Sequence, residues 1–184
     1  ALRRLALDAP PLLRTRTVCQ VALGTHHHLP VPVFTLGSEA PDAPVALFIG
    51  GVHGLERIGS QVVIAHLDSL VRRLSWDDGL HRLLDNVRLV FMPMVNPGGA
   101  WLGTRANPQG IDLMRCAPVD CDSRAAPLVG GHRFSAALPW YRGAAGAPLP
   151  PEGAALCEWV EQELQGRPFA IAVDCHSGFG LTDR

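Results

Sequence analysis

The chain has 184 residues, a mass of 19.7 kDa and a formal net charge of -1. Hydrophobic residues make up 47% and charged residues 18%, which excludes a disordered tail and a coiled coil. The near-neutral balance argues against a nucleic-acid partner, and no run of about 18 apolar residues is present to span a membrane.

The cationic side chains other than histidine are all Arg, so a catalytic Lys is ruled out. Leu2 to Leu7 is broken by Arg3 and Arg4 and does not read as a signal-peptide core. Five scattered cysteines read as free thiols of a reducing compartment, which sets the expectation of a cytoplasmic location. Cys116 and Cys121 have the wrong spacing for a zinc knuckle and read as two loop thiols.

Thr17 to Leu23 and Val31 to Leu36 read as strands, with Pro30 and Pro32 placing the second at a sheet edge. The turn between them, Gly24 to Leu29, carries His26, His27 and His28 as a solvated hairpin tip. Val45 to Ile49 is a short apolar run ended by Gly50 and Gly51, the pattern of a strand buried on both faces. A helix is expected from about Leu55 to Leu74, with Ile58, Val62, Ala65, Leu67, Leu70, Val71 and Leu74 as its apolar stripe. Ser75 and Asp78 resemble a capping box for a second, short helix, and Val87 to Met92 is the next buried strand. Strand, helix and strand make the class α/β: a mixed, largely parallel central sheet flanked by helices.

From Asn96 to Pro150 the chain is rich in Gly and Pro and shows no sustained period. Loops of this length are rare in compact domains unless they build a site. Near its end Tyr141, the only Tyr, is expected to pack on the sheet, and His66 and His81 to be surface or satisfied positions. A helix from about Glu152 to Gln165 follows, with Leu156, Trp159, Val160 and Leu164 on one face. Phe169 to Asp174 is expected as a last buried strand. No repeat or linker divides the chain, so residues 1–184 read as a single domain.

Three segments carry chemistry. His53-Gly54-Leu55-Glu56 follows a buried strand and precedes a helix, where ligands bind in open α/β sheets. The spacing lets an imidazole and a carboxylate converge on one ion if the turn is tight. Asp174-Cys175-His176-Ser177-Gly178 has the same strand-end context. Two His and one Glu form a well-known catalytic zinc set. Between them lie Asn96-Pro97-Gly98-Gly99, Thr104-Arg105-Ala106-Asn107 and Gly110-Ile111-Asp112-Leu113-Met114-Arg115. Arginine suits bidentate carboxylate binding and stabilisation of a developing oxyanion.

Taken in order, these motifs resemble the zinc carboxypeptidase family, with its carboxypeptidase A/B-like fold. That family carries His-x-x-Glu after a strand, Asn-Pro-x-Gly, Arg-x-Asn-x-x-Gly-x-Asp-Leu-Asn-Arg, and a strand ending in His-Ser. The resemblance runs from about residue 44 to the C-terminus. It implies one Zn2+ on His53, Glu56 and His176, with Arg105 polarising the scissile carbonyl. It implies substrate binding by Arg115, Asn107 and Ser177, and a hydrogen bond from Asp112 to the first zinc His. The substrate would be a peptide or acylated amino acid with a free carboxylate.

Two departures stand out. Met114 replaces the family Asn, and a thioether donates no hydrogen bond to a carboxylate. The family's general-base Glu lies well downstream of the third ligand. The chain is therefore expected to lack the C-terminal part of the domain and to expose an apolar sheet edge on that side. Two other functions share these residues. One is an N-acyl-amino-acid amidohydrolase of the aspartoacylase and succinylglutamate desuccinylase type, whose strand-end Asp-x-His is matched by Asp174 and His176. The other is a non-catalytic metal-binding pseudoenzyme.

Overall fold

The computed structural model describes residues 11–119 and 126–177. The elements in chain order are strands β1 (Arg14–Leu23), β2 (His27–Gly37) and β3 (Val45–Gly50), and helices α1 (Arg57–Arg73) and α2 (Asp78–Leu84). Strand β4 (Arg88–Met92), helix α3 (Pro97–Leu102), a 3-10 turn (Leu113–Arg115), helix α4 (Pro151–Leu164) and strand β5 (Ala170–Cys175) complete them. One five-stranded sheet has the order β1-β2-β4-β3-β5. The β1–β2 and β2–β4 pairs are antiparallel, and the β3–β4 and β3–β5 pairs are parallel. The sheet is thus evenly mixed by pairing, and its parallel half carries the predicted ligands at the strand ends.

Alternation along the strands feeds two cores. Val31, Val33, Val45, Leu47, Ile49, Val90 and Met92 face one side, with Trp159 of α4 buried against them. Phe34, Leu36 and Phe91 face the other, against Val63, Leu67 and Leu70 of α1 and Leu80 and Leu84 of α2. A pleated strand sends successive side chains to opposite faces, so each central strand holds helices on both sides. Arg88 of β4 and Glu163 of α4 form a two-pronged ion pair that ties the helix to the sheet.

Several expectations need correction. β2 lies inside the sheet, between β1 and β4. Its pairing with β4 covers only Phe34 to Gly37. Pro30 and Pro32 are therefore paired on the β1 side alone, beside the register shift at Thr17 and Cys19, and their lack of an N–H is tolerated there. The N-cap of α2 is Asp77, whose side chain accepts from Leu80 N–H at 2.9 Å, and not Ser75. The stripe of α1 is mis-phased at its start: Ile58 and Val62 are exposed, while Gly59 and Ser60 are buried.

Strand β5 is not buried. It has an exposed burial pattern along nearly its whole length, and Phe169, Ile171 and Val173 present apolar side chains to solvent. The expected apolar edge is thus present among the described residues. Tyr141 packs against the His132 ring, with centroids 5.9 Å apart. Cys19, Cys157 and Cys175 are free thiols, while Cys121 lies outside the described residues. The described helices include none long and apolar enough to cross a membrane.

Candidate metal centre

Three loops meet beyond the carboxyl ends of β3, β4 and β5. The β3 loop delivers His53 and Glu56 just before α1. It is held to the β4 loop by Val95 N–H and Asn96 N–H, which donate to Gly50 O and Gly51 O at 3.1 and 2.8 Å. Asn96 caps α3, its side-chain oxygen accepting from Gly99 N–H at 2.7 Å. Gly54 lies so close to the Gly99–Ala100 backbone that any Cβ would collide with it. Only glycine permits this approach, which brings Gly54 N–H to Arg105 O at 3.4 Å.

His53 is 2% exposed and has a carboxylate on each side of its ring. Nδ1 lies 2.9 Å from Glu56 Oε1, and Nε2 lies 3.2 Å from Asp112 Oδ1. The His176 ring stands nearly edge-on to it, with centroids 4.9 Å apart. One ligand atom from each of His53, Glu56 and His176 falls within 4.8 Å of the others. Oε2 of Glu56 is buried without a hydrogen-bond partner. Two imidazoles, one carboxylate and an orphaned buried oxygen suit a zinc ion.

Asp112 and Arg105 form the wall behind these donors. Arg105 Nε donates to Asp112 Oδ2 at 2.9 Å, and Nη1 donates to Glu56 Oε1 at 3.2 Å. Asp112 also accepts from Met114 N–H at 3.1 Å, and Tyr141 O receives the Asp112 N–H at 2.9 Å. Burial alone pushes the Asp112 carboxyl up, but His53 and Arg105 outweigh it and hold the group at about 2. At the exposed end, Asp174 Oδ2 lies 2.7 Å from Nδ1 of His176.

The remaining predicted residues divide. Arg115 Nε donates to Val129 O at 2.9 Å, so the 126–144 loop braces this side chain. Asn107 is turned inward: its Oδ1 accepts from Gln109 N–H and Ile111 N–H at 3.1 and 2.9 Å. Its oxygen is thus spent on holding the loop. Ser177 is half-buried beside His176. Tyr141 enters the site through its main chain, a role that no side-chain pattern encodes. Asp174 was legible only as half of a strand-end Asp-x-His.

A family model described as zinc carboxypeptidase matches residues 3–181. Carboxypeptidase D of Drosophila melanogaster is 24% identical over 186 residues, covering 96% of this chain and 12% of that protein. Carboxypeptidase E of Caenorhabditis elegans is 27% identical over 159 residues, covering 78% of this chain and 32% of that protein. The crystal structure of carboxypeptidase A from Helicoverpa armigera superposes with a TM-score of 0.69 at 15% identity, covering 96% of this chain and 44% of that one. The chain therefore spans less than half the length of these relatives.

Proposed function

The chain belongs to the zinc carboxypeptidase family, and from that membership we propose that it carries the metal-binding part of a metallopeptidase that hydrolyses the amide bond next to a free carboxylate. The observation that carries this reading is the convergence of His53, Glu56 and His176 with Asp112 on the far nitrogen of His53.

A zinc ion held by these three residues would supply Lewis acidity and an activated water. The chain's own residues prepare the place for it. Asp112 accepts the Nε2 proton of His53 and so leaves the Nδ1 lone pair beside Glu56. Arg105 is fixed between Glu56 and Asp112, with its positive charge beside the position where an oxyanion develops. Arg115 binds the substrate carboxylate, with Ser177 at the third ligand's end of the cleft. Met114 offers no second donor to that carboxylate, so recognition falls more heavily on Arg115 than the family pattern implies. Proton transfer to the leaving amine falls to a carboxylate that is not a ligand, and the family pattern puts it downstream of His176.

The test uses the full-length, zinc-loaded protein on peptides with free and amidated C-termini, and on N-acyl amino acids. Release of the C-terminal residue from the free peptide alone is expected. Turnover of N-acyl amino acids alone would favour the amidohydrolase. Zinc bound with no turnover of either would favour the pseudoenzyme.

A further inference from the structure

One buried acid has no task in this chemistry. Glu152 stands in the first turn of α4 and is 0% exposed. Neither of its carboxylate oxygens has a hydrogen-bond partner. A carboxylate charge sealed from water without a donor is too costly to keep, so the neutral acid is the form that fits. Burial pushes its pKa up, against opposing pulls from its own backbone N–H and the Asn107 side chain. Cys19 of β1 also lies near it, its thiol raised to about 11, by burial first. Burial thus disfavours the charged form of both groups.

Asn107 is the polar side chain that meets it. It is 2% exposed, and its amide nitrogen is likewise buried without an acceptor. The rest of Asn107 ties the loop into a knot. Its oxygen takes two loop N–H groups, its N–H donates to Ile111 O at 2.9 Å, and its carbonyl accepts from Gly110 N–H at 2.9 Å. That knot sits between Arg105 and Asp112, which are joined to each other, to His53 and to Glu56. Buried orphaned atoms from two segments thus meet, on the loop that also carries Arg105 and Asp112.

We propose that Glu152 is a positioning residue for the metal centre: its neutral carboxyl accepts from the Asn107 amide, anchors the 105–112 loop on α4, and so keeps Arg105 and Asp112 aimed at Glu56 and His53. The consequence for the metal rests on the function proposed above, whereas the anchoring does not.

Glu152→Gln and Glu152→Leu separate the two parts in the full-length protein. Gln is neutral, of the same shape, and keeps the acceptor. Leu fills the space without it and leaves the Asn107 amide with no acceptor. Zinc affinity by chelator competition and kcat should fall about tenfold or more in E152L and should be restored in E152Q. Wild type should show the infrared carbonyl stretch of a protonated carboxylic acid at neutral pH, and E152Q should lose it. Amide exchange at Gln109 and Ile111 should quicken in E152L alone.

Wild-type zinc affinity in E152L, E152Q as damaged as E152L, or absence of the infrared band would each overturn the proposal. If wild type binds no zinc, the functional reading fails on its own, and the exchange rates still decide the anchoring. If E152L folds poorly, the infrared band and the properties of E152Q decide it.

Discussion

Replacing Asp112 by Asn tests the wall behind the ligands. Asp112 accepts from His53 Nε2, Arg105 Nε and Met114 N–H. Arg105 demands an oxygen, so an Asn there turns its oxygen to Arg105 and its NH2 to His53. The imidazole proton then moves to Nδ1, the nitrogen beside Glu56, and caps the donor a metal needs. Loss of such a partner typically weakens metal binding by about 10- to 100-fold, and the forced tautomer puts D112N at the upper end of that range. The metal-free fold also loses stability. A carboxyl held at about 2 in place of the ordinary 3.8 contributes about 2 kcal/mol at neutral pH. Because the folded value is the lower one, this contribution is whole above about pH 4 and vanishes as pH falls toward 2. Urea unfolding of metal-free wild type and D112N should therefore differ at pH 7 and converge near pH 2, with chelator competition reporting the zinc affinity. Wild-type zinc affinity in D112N, or a stability gap that persists unchanged at low pH, would rule out this role of Asp112.

Three further variants probe separate links. Glu56→Gln keeps the shape of the ligand but removes its charge, and zinc stoichiometry by metal analysis should drop well below one ion per chain. Gly59→Ala drives a Cβ into the Cys175 backbone carbonyl. It should cost about 1–3 kcal/mol in denaturant unfolding and also weaken zinc binding, because Cys175 precedes His176. Glu163→Gln leaves the mostly buried Arg88 without its carboxylate. It should cost about 3 kcal/mol while zinc affinity, measured by chelator competition, stays at the wild-type value.

The central strands were legible because a period of two, or a short unbroken apolar run, survives in the sequence. The start of α1 was not, because packing there is done by small residues. Gly59 lets the helix approach β5 closely, and no apolar pattern marks such a contact. Helix α3 hid behind Gly98 and Gly99, since its start depends on the Asn96 cap and on Pro97 at the first position. The exposure of β5 contradicted its composition, as an apolar run reports what a strand is able to bury and not what covers it. At the site, His53, Glu56 and His176 were readable from residue type and strand-end context. The inward turn of Asn107, the Tyr141 carbonyl on Asp112 and the buried Glu152 were not, because they depend on contacts between distant segments.

Zinc-edge X-ray absorption on the zinc-loaded protein reads the His53, Glu56 and His176 site itself. One zinc per chain is expected, bound by two imidazole nitrogens and carboxylate oxygen, with the signal lost when His53 or His176 is replaced by Ala. Sulfur in the first coordination sphere, or a signal that survives both replacements and disappears with His26, His27 and His28, would contradict it.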